Sequence, residues 1–555
     1  METSLSDRMD QEKLFPQLTD AQIARIASLG RRRPIARGDV LMDAGDRSLA
    51  FFVVLSGEIQ ALRQSGDGET PIVALRAHQF SGEANVLTGR RAIARLRASE
   101  SGEVLELNRD QLLGLIQTDA ELSDILMKAF ILRRAELINQ HFGDVVLIGS
   151  MHSPGTLRVK EFLARNGHPN TYIDLDRDAD AQELLDRFQV SVADVPVLIC
   201  RGQTALKNPT NQQIANCLGF NDAIDRTHVR DIVIVGAGPA GLAAAVYGAS
   251  EGLDVLVLEA NVAGGQAGSS SRIENYLGFP TGISGEMLTA RAYAQAQKFG
   301  AEVAVAKGAT AIACGRQPYA VTMDDGAQVP ARTVIIATGA QYRKPAIENL
   351  ARFEGSGVYY AATEMERQVC GGEEVAVVGG GNSAGQAAVF LADKCRRVHV
   401  LVRGKGLAES MSRYLIRRIE DNPVIALRTQ TEIVALEGNG HLEQIRWTSR
   451  QGGGVETRSI RHVFMMTGAV PNTAWLSGCL TLDDKGFIKT GPAVSPEELT
   501  AASWPLSRPP FLLETSRPGV FAVGDVRGGN VKRVASAVGE GSIAVAFVHQ
   551  VLQTH

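Results

Sequence analysis

Three glycines and one acid mark the first stretch of the chain whose residue types and spacing could do chemistry. Gly236, Gly238 and Gly241 form a G-x-G-x-x-G pattern after the apolar run 232–235, and Glu259 ends a second apolar run. Such glycines permit a tight turn, let the backbone approach a phosphate and allow a helix to pack closely on a strand. A carboxylate at the second strand end can accept hydrogen bonds from ribose hydroxyls. Together the four residues predict a dinucleotide site.

A strand, a helix and a second strand must position these residues. The alanine-rich segment after Gly241 predicts the helix, so residues 232–259 are interpreted as a βαβ unit. We expect the pyrophosphate at the N terminus of this helix, because unpaired N–H groups and the helix dipole favour an anion there.

A second unit of the same kind begins at Gly379. Gly379, Gly381 and Ala384 occupy the motif positions, with Asn382 and Ser383 between them. Two nucleotide sites in one chain imply electron transfer between two cofactors.

The strand after the second unit indicates which nucleotide binds there. The segment VHVLVRG ends in Arg403 and has no acid at that position. An arginine suits a 2′-phosphate, so the sequence favours NADPH over NADH.

Length and composition indicate a multidomain protein. The 555 residues are too many for one hydrophobic core, and the chain is 45% hydrophobic and 21% charged. A net charge of −4 gives no reason to expect nucleic acid or a membrane as partner. Residues 1–20 are polar, and no apolar run reaches the roughly 18 residues of a transmembrane span. We therefore expect a cytoplasmic protein.

Six cysteines are scattered through the chain without a C-x-x-C pair. This excludes a sequence-local redox pair or zinc knuckle, so we expect no metal site and six ordinary thiols, mostly buried. The cysteines are Cys200, Cys217, Cys314, Cys370, Cys395 and Cys479.

Residues 14–140 resemble the cyclic-nucleotide-binding domain. Segments rich in β-formers, such as AFFVVLSGEIQALR, precede a glycine-glutamate turn and a long amphipathic stretch. In that family the glutamate binds a ribose hydroxyl, and a following arginine pairs with the cyclic phosphate. The resemblance gives these roles to Glu83 and to Arg91, with Arg90 beside it.

Three residues of this segment depart from the family's pattern. Asn85, Ile93 and Arg95 stand where the family has a small residue, an alanine and an apolar side chain. Two interpretations remain open. In the first, the barrel binds a cyclic nucleotide as an effector. In the second, its phosphate-binding segment is degenerate and the domain serves as a docking module.

Residues 143–220 resemble a thioredoxin or glutaredoxin fold. The resemblance rests on the alternation of predicted strands and helices and on Val195-Pro196 before a strand, a place where the family's proline is cis. The family's cysteines start the first helix, but this chain has H-S-P-G at 152–155. The module is therefore interpreted as a scaffold without a thiol nucleophile.

From residue 230 onward the chain resembles the low-molecular-weight thioredoxin reductases, a flavoprotein family with two dinucleotide-binding domains. The two glycine motifs, the loop AGGQAG, an A-T-G strand end and the segment PGVFAVGDVRG carry the resemblance. It implies a homodimer, with an FAD domain in two parts, 230–345 and 469–555, and an NADPH domain at 346–468. The expected fold is multidomain: an N-terminal β-barrel with helices, an α/β thioredoxin-like module and two Rossmann-like domains.

The same resemblance implies the residues that contact each cofactor. For FAD they are Gly236, Gly238, Gly241, Glu259, Gly265, Gln266, Asn275, Thr338, Gly339, Gly524, Asp525, Val534 and Ala535. For NADPH they are Gly379, Gly381, Asn382, Ser383, Ala384 and Arg403. The helix after Lys532 and Arg533 would direct its positive N terminus at the isoalloxazine, which stabilises the reduced anionic flavin.

One departure governs the predicted function. Thioredoxin reductases carry C-A-T-C directly after a G-V-x-Y segment, and this chain has A-A-T-E there, with Ala361 and Glu364 in place of the redox cysteines. Neither a methyl group nor a carboxylate can form a disulfide. The catalytic residues are therefore unknown from the sequence, and Glu364 is interpreted as a solvated surface acid.

We expect an FAD-dependent NADPH oxidoreductase whose terminal acceptor, a small molecule or a protein, the sequence does not identify. Two alternatives remain open. One is a thioredoxin-disulfide reductase that uses thiols outside the usual site, with Cys370 as the nearest cysteine. The other is a non-enzymatic sensor in which a bound nucleotide changes the affinity for a partner.

Overall fold

The computed structural model describes most of the chain. The described residues are 12–47, 50–65, 68–82, 84–88, 90–139, 145–151, 153–177, 194–200, 204–221, 223–270, 272–450, 454–476 and 478–553. Three features singled out from the sequence lie outside them: Glu83, His152 and the predicted helix at 179–190 of the thioredoxin-like module.

The helices and strands are numbered in chain order. The helices are α1 Asp20–Ala27, α2 Ala84–Thr88, α3 Arg109–Thr118, α4 Ala120–Asn139, α5 Pro154–Arg165, α6 Asn211–Leu218, α7 Pro239–Ser250, α8 Gly285–Lys298, α9 Leu350–Phe353, α10 Glu364–Val369, α11 Asn382–Ala392, α12 Arg413–Glu420, α13 Pro496–Ala501 and α14 Val534–Gln553. The strands up to the first dinucleotide unit are β1 Arg31–Ile35, β2 Val40–Met42, β3 Phe51–Ser65, β4 Gly68–Arg76, β5 Arg95–Leu107, β6 Val145–Gly149, β7 Thr171–Asp174, β8 Val197–Cys200 and β9 Thr204–Lys207.

The remaining strands belong to the dinucleotide-binding part. They are β10 Arg230–Val235, β11 Val255–Glu259, β12 Glu302–Val305, β13 Ala309–Ile312, β14 Tyr319–Met323, β15 Gln328–Ile336, β16 Ala340–Tyr342, β17 Val358–Tyr359, β18 Glu374–Val378, β19 Arg397–Val402, β20 Ile425–Thr429, β21 Thr431–Glu437, β22 Gln444–Ser449, β23 Val455–Arg458, β24 His462–Met465, β25 Ala469–Pro471 and β26 Val520–Ala522.

The N-terminal part is an antiparallel sheet of β1 to β5 with helices around it. The strand order is β1-β5-β3-β4, and β2 also pairs with β5. Phe51, Phe80 and Phe130 pack with ring centroids 5.7–6.2 Å apart, so the sheet and α4 share one core. α3 begins at a capping box of Asn108 and Gln111, which satisfies N–H groups of its first turn.

The module that follows contains a four-stranded sheet in the order β7-β6-β8-β9. β7 runs parallel to β6, whereas β8 and β9 continue the sheet antiparallel. The Val195–Pro196 peptide bond is cis, as the family resemblance predicts. α5 begins with Ser153 as N-cap and Pro154 at its first position, a favoured helix start. The likeness of this module to thioredoxin itself stays a prediction.

A seven-stranded sheet forms the first dinucleotide domain. The order is β12-β11-β10-β15-β14-β13, and β26, from near the C terminus of the chain, pairs parallel with β15. β10, β11 and β15 are parallel neighbours, and their residues are almost all buried, as expected of strands covered on both faces. The chain therefore returns to this domain after the second unit.

α14 covers one face of this sheet and packs directly on α7. A Cβ on Gly541 would lie 2.2 Å from the Ala240 carbonyl oxygen, so only glycine allows this approach. By length and composition α14 alone, among the described helices, could cross a membrane. Its buried residues Ala544, Val545 and Val548 belong to the same core as α7, which is the arrangement of a core helix.

The second dinucleotide domain has a five-stranded parallel sheet in the order β17-β24-β18-β19-β20, with a separate antiparallel sheet of β21, β22 and β23. The two-stranded ribbon of β16 and β25 lies where the chain passes between the two domains.

Two of the six cysteines differ from the expectation. Cys314 and Cys479 form a disulfide with their Cα atoms 5.8 Å apart, and this bond joins the two sequence-distant parts of the first dinucleotide domain. The prediction of ordinary thiols is therefore wrong for this pair, because no local spacing marks cysteines that meet only through the fold. Cys200, Cys217, Cys370 and Cys395 are thiols.

Candidate functional site

A cleft of about 980 Å³ lies at the carboxyl ends of the parallel strands of the first dinucleotide domain. Three parts of the chain line it: the first dinucleotide domain, the second dinucleotide domain and α5 of the preceding module. The predicted FAD residues that line the cleft are Gly236, Gly238, Glu259, Gly265, Gln266, Thr338, Gly339, Gly524, Asp525 and Val534. This volume falls in the range of sites for sizeable organic ligands.

The glycine turn after β10 has the geometry of a phosphate cradle. Gly236 has φ +106°, and a Cβ there would lie 2.3 Å from the Ala337 carbonyl oxygen. A Cβ on Gly241 would lie 1.9 Å from the Gly236 carbonyl oxygen, so the helix packs tightly on the turn. Gly238 has open space in front of it and caps α7 without a side-chain hydrogen bond. The first N–H groups of α7 thus face the cleft, as a bound pyrophosphate requires.

Glu259 ends β11 inside the same cleft. One carboxylate oxygen accepts the Ala237 N–H at 2.7 Å and the other accepts the Asn261 N–H at 2.9 Å. Burial raises the pKa of Glu259, and the two backbone donors oppose that rise. The carboxylate is therefore held in one orientation at the position expected for ribose hydroxyls.

Two loops complete the far side of the turn. Gly265 lies against the glycine turn, since a Cβ on it would be 3.0 Å from the Gly238 Cα. Gln266 donates to the Ala340 carbonyl oxygen, and Thr338 donates to the Asn472 carbonyl oxygen at 2.9 Å. These bonds join the loop, the A-T-G strand end and the segment after β25 around the cleft.

Asp525 lines the cleft beside the start of α14. Burial raises its pKa, and the charge of Lys532 lowers it. The Gly524 N–H donates to Glu540 Oε2 at 2.7 Å, which fixes the turn before Asp525. Lys532 and Arg533 also line the cleft, so positive charge accompanies the N terminus of α14.

The second glycine motif builds a similar turn. Gly379 has φ +147°, and a Cβ there would lie 2.3 Å from the Met466 carbonyl oxygen. Gly381 caps α11 without a side-chain hydrogen bond, and Asn382 Oδ1 accepts the Ser412 N–H at 2.7 Å. Ser383 reaches the shared cleft. Arg403 lies exposed directly after β19, at the strand end predicted from the sequence.

Some predicted residues lie away from the cleft wall. Asn275 and Ala535 are exposed, and Gly241 and Ala384 are buried in helix packing. The predicted residues outside the described lining are Gly241, Asn275, Ala535, Gly379, Gly381, Asn382, Ala384 and Arg403.

The segment in place of the redox cysteines faces the cleft. Ala361 and Ala362 line it, whereas the Glu364 side chain is 53% exposed and pairs with Arg367 at 2.5 Å. Among the described residues, no cysteine lines the cleft.

A different acid, Glu366, lines the cleft from α10. It accepts the Thr363 N–H at 2.8 Å and also the Thr363 hydroxyl. Burial raises the pKa of Glu366, and Glu161 of α5 adds to that rise. Sequence reasoning missed this residue. The four-residue spacing of Ala362, Glu366 and Cys370 in the sequence is the signal that could have found it.

Two thiols lie close together behind α10. Cys370 and Cys395 are buried with their sulfur atoms 3.5 Å apart. The contact with Cys395 raises the pKa of Cys370, and the contact with Cys370 lowers that of Cys395. The pair belongs to the core of the second dinucleotide domain.

The module before residue 230 also lines the cleft, which the motifs did not indicate. The contributing residues lie on one face of α5 and are Pro154, Leu157, Arg158, Glu161 and Arg165. Their spacing of three, four and seven residues is that of a helix face, but nothing local shows what this face meets.

The N-terminal barrel has its own cavity of about 780 Å³. Ala92, Ile93 and Ala94, which directly precede β5, line this cavity. Arg133 of α4 lines it too, and its Nη1 donates to the Gly82 carbonyl oxygen at 2.8 Å.

The predicted phosphate-binding arginines make other contacts. Arg90 is buried, donates to the Asn166 carbonyl oxygen at 2.7 Å and stacks 4.3 Å from the centre of the Phe220 ring. Arg91 donates to the Gly45 carbonyl oxygen at 3.4 Å and packs against Gly219. Neither lines the described part of the barrel cavity, because both side chains lie between the barrel and the adjoining module.

Comparison with known proteins gives matches to two families. The model of pyridine nucleotide-disulphide oxidoreductases matches residues 230–541, and that of the cyclic nucleotide-binding domain matches residues 32–119. The thioredoxin reductase of Listeria innocua is 34% identical over 326 residues, which cover 57% of this chain and 92% of that protein. The thioredoxin reductase of Bacillus subtilis is 30% identical over 325 residues, covering 59% of this chain and 95% of that protein. A crystal structure of Lactococcus lactis thioredoxin reductase in the FR conformation has a TM-score of 0.52 at 26% identity, covering 59% of this chain and all of that one.

Proposed function

Because the chain belongs to the pyridine nucleotide-disulphide oxidoreductase family, as a thioredoxin reductase-like oxidoreductase, we propose that it passes electrons from NADPH through FAD directly to an external acceptor. Thioredoxin reductase-like homologues use FAD and NADPH, and the cleft offers the cradle and buried acid that fit FAD. When bound, the two cofactors supply hydride transfer. The chain's own residues bind and orient the two cofactors, and they exclude water from the cleft.

One observation carries the proposal. Ala361 and Ala362 line the cleft where the resembling family has its first redox cysteine and the residue after it, and no cysteine lines the described part of the cleft. A methyl group cannot take part in thiol–disulfide exchange. An acceptor that enters the cleft therefore meets alanine methyls and the Glu366 carboxyl in place of a disulfide.

The test compares the native chain with a variant that restores the family's motif. Ala361→Cys with Glu364→Cys recreates C-A-T-C. We expect the native protein to reduce ferricyanide with NADPH at a rate that iodoacetamide leaves unchanged, and to show negligible turnover with thioredoxin. In the double variant, NADPH should make the added thiols titratable. Loss of ferricyanide reduction on alkylation of the native protein, with flavin and fold intact, would show that a native thiol carries the electrons.

A second candidate is a disulfide reductase that uses other thiols. The 3.5 Å separation of the Cys370 and Cys395 sulfur atoms favours it. Cys370→Ser and Cys395→Ser separate the two candidates, because only the disulfide reductase would lose activity. Cys200→Ser, which alters a buried thiol of the preceding module, is the matched control.

The preference for NADPH is assigned to Arg403. A charge-assisted contact with a 2′-phosphate is worth about 1.5–3 kcal/mol. Arg403→Ala should therefore lower kcat/KM for NADPH roughly ten- to a hundredfold and leave that for NADH unchanged. Arg396→Ala, at another exposed arginine of the same domain, should change neither. An equal loss with both coenzymes would contradict the assignment.

The barrel cavity is the proposed site of a cyclic nucleotide effector. The match to the cyclic nucleotide-binding family and the guanidinium of Arg133 beside Gly82 support this. Calorimetry with cyclic AMP and cyclic GMP tests it. Ala61→Trp fills the cavity and should abolish the heat, whereas Arg91→Ala should preserve it. Absence of heat with the native protein would favour the docking module.

A further inference from the structure

α5 of the thiol-less module brings a cation to the glycine turn of the first dinucleotide domain. Arg165, its last residue, donates from Nη2 to the Gly265 carbonyl oxygen at 2.6 Å. The same guanidinium donates from Nη1 to Glu161 Oε1 at 3.1 Å. Only 16% of the Arg165 side chain is exposed, and it lines the cleft.

The guanidinium lies among the groups expected around a pyrophosphate. Gly265, which it contacts, lies against Gly238 in the phosphate cradle. Burial raises the pKa values of Glu259 and Glu286, and the charge of Arg165 lowers both. The positive charge of Arg165 therefore acts on Glu259, which lines the cleft, and on Glu286, which lies outside its lining.

Arg165 has N–H donors left for a ligand. Its guanidinium carries five N–H groups, and the contacts with Gly265 and Glu161 use one on each Nη. Its Nε is enclosed by protein, so a ligand in the cleft would meet the remaining Nη N–H groups on the exposed part of the side chain. A pyrophosphate in the cleft would supply acceptor oxygens and two negative charges.

The charged residues that line the cleft also indicate that Arg165 is the cation available to a pyrophosphate. The acidic residues that line it are Glu161, Glu259, Glu366 and Asp525, and the basic ones are Arg158, Arg165, Lys532 and Arg533. Lys532 and Arg533 accompany the N terminus of α14, and Arg158 donates to Asn211 and to the Pro209 carbonyl oxygen within its own module. Among these basic residues, Arg165 is therefore the one that hydrogen-bonds to the loop beside the glycine turn, where the pyrophosphate is expected.

We infer that Arg165 is an FAD-binding residue supplied by the thiol-less module, which completes the pyrophosphate site of the neighbouring domain. This rests on the proposed function, since it takes FAD to occupy the cradle at α7. The module is then part of the flavin site and does not carry electrons.

Flavin fluorescence measures the inference independently of turnover. FAD is titrated into the full-length apoprotein at low and high salt, for the native chain, Arg165→Met, Arg165→Lys and the control Lys160→Met. Lys160 lies on the same helix but contacts Tyr172 and Met151 inside the module. We expect Arg165→Met to raise the Kd roughly ten- to a hundredfold and to flatten its salt dependence, since a charged contact is lost.

Arg165→Lys keeps the charge without the fork and should give an intermediate Kd with the native salt dependence. Lys160→Met should keep the native Kd. A native Kd and salt dependence in Arg165→Met would overturn the inference, as would an equal loss in Lys160→Met. If Arg165→Met does not fold, Arg165→Gln takes its place, and a native Kd with native salt dependence in that variant would overturn the inference. Failure of the native apoprotein to bind FAD would instead contradict the proposed function.

Discussion

At the scale of single residues, the cleft separates side chains that hold the fold from side chains that leave room for a ligand. A Cβ on Gly236 or Gly241 would meet backbone oxygen at 2.3 and 1.9 Å, whereas a Cβ on Gly238 meets nothing closer than 3.9 Å. The first two glycines are required by the protein itself. Gly238 is the one whose side chain would compete only with the ligand.

Gly238→Val should therefore fold and yet lack flavin. A Cβ has space at this position, and the valine methyls would occupy the approach to the helix N terminus. The absorbance ratio of flavin to protein in purified samples, together with circular dichroism, measures both effects. Gly454→Val, at an exposed position with open space, is the control and should keep full flavin. Full flavin in Gly238→Val would show that the pyrophosphate lies elsewhere.

Glu366 gives stability a pH dependence with a definite sign. Because burial raises its pKa above 4.5 in the folded state, the folded protein holds a proton that the unfolded chain has released. The stability that this proton contributes is complete below pH 4.5 and is lost as pH rises through the folded pKa.

Glu366→Gln removes this titration. The difference in Tm between Glu366→Gln and the native protein should grow in favour of the variant as pH rises above 4.5, measured by differential scanning fluorimetry. A constant difference for Glu366→Gln would mean that the carboxyl is not protonated in the folded state.

At the scale of elements, α7 and α14 form the contact that supports the phosphate cradle. Gly541 of α14 packs against the Ala240 carbonyl group. Ala240 is the second residue of α7, the helix that follows the glycine turn. Any separation of the two helices therefore displaces the N terminus on which the pyrophosphate is expected.

Two glycines of α14 make a matched pair of substitutions. Gly541→Ala should destabilise by about 1–3 kcal/mol and lower flavin content, since its Cβ would lie 2.2 Å from a backbone oxygen. Gly539→Ala has nothing within 4 Å and should stabilise by about 0.5–1 kcal/mol through helix propensity. Urea denaturation followed by circular dichroism measures both. Equal effects at the two positions would contradict the close contact.

At the scale of the whole molecule, two arginines join the barrel, the following module and the first dinucleotide domain. Arg90 of the barrel contacts Asn166 and Phe220 of the module, and Arg165 of the module contacts Gly265 of the first dinucleotide domain. The barrel also contacts the first dinucleotide domain directly, since Arg90 donates to the Tyr293 hydroxyl and Gln117 to the Lys298 carbonyl oxygen.

Arg90→Met should weaken the attachment of the barrel. It removes charge-assisted hydrogen bonds worth about 1.5–3 kcal/mol, so calorimetric unfolding should begin at lower temperature and separate into two transitions. Arg97→Met breaks an exposed pair with Glu69 inside the barrel and should change Tm little, since such pairs contribute about 0–1 kcal/mol. One unshifted transition in Arg90→Met would show that other contacts hold the barrel.

The sequence predicted what is local and missed what depends on distant packing. The βαβ units around Gly236 and Gly379 follow from the short-range sequence pattern. The cis Val195–Pro196 bond follows from the family resemblance. Arg165 and Gly265 are far apart in the chain, and nothing in the pattern of α5 tells which domain its polar face meets. The disulfide between Cys314 and Cys479 was missed for the same reason.

Arginines and acids of the predicted sites show the limit most clearly. Arg90 and Arg91 match a family position, yet their surroundings come from the adjoining module, which the family pattern does not contain. Glu364 stands in place of a family cysteine, but Glu366, on the opposite face of α10, is the acid of this helix that reaches the cleft.

The position of Asn166 bears on how binding at the barrel and binding at the cleft would affect each other's affinity. Its carbonyl oxygen accepts a hydrogen bond from Arg90 of the barrel, and it directly follows Arg165, so the residue that contacts the barrel is covalently next to the residue proposed to contact FAD. Coupling between two binding sites is reciprocal: a barrel ligand that changes the affinity for FAD by some factor has its own affinity changed by the same factor when FAD binds. For the proposed cyclic nucleotide, the ratio of its Kd values for apoprotein and FAD-loaded protein would therefore measure coupling between the two sites at equilibrium, with no electron acceptor present.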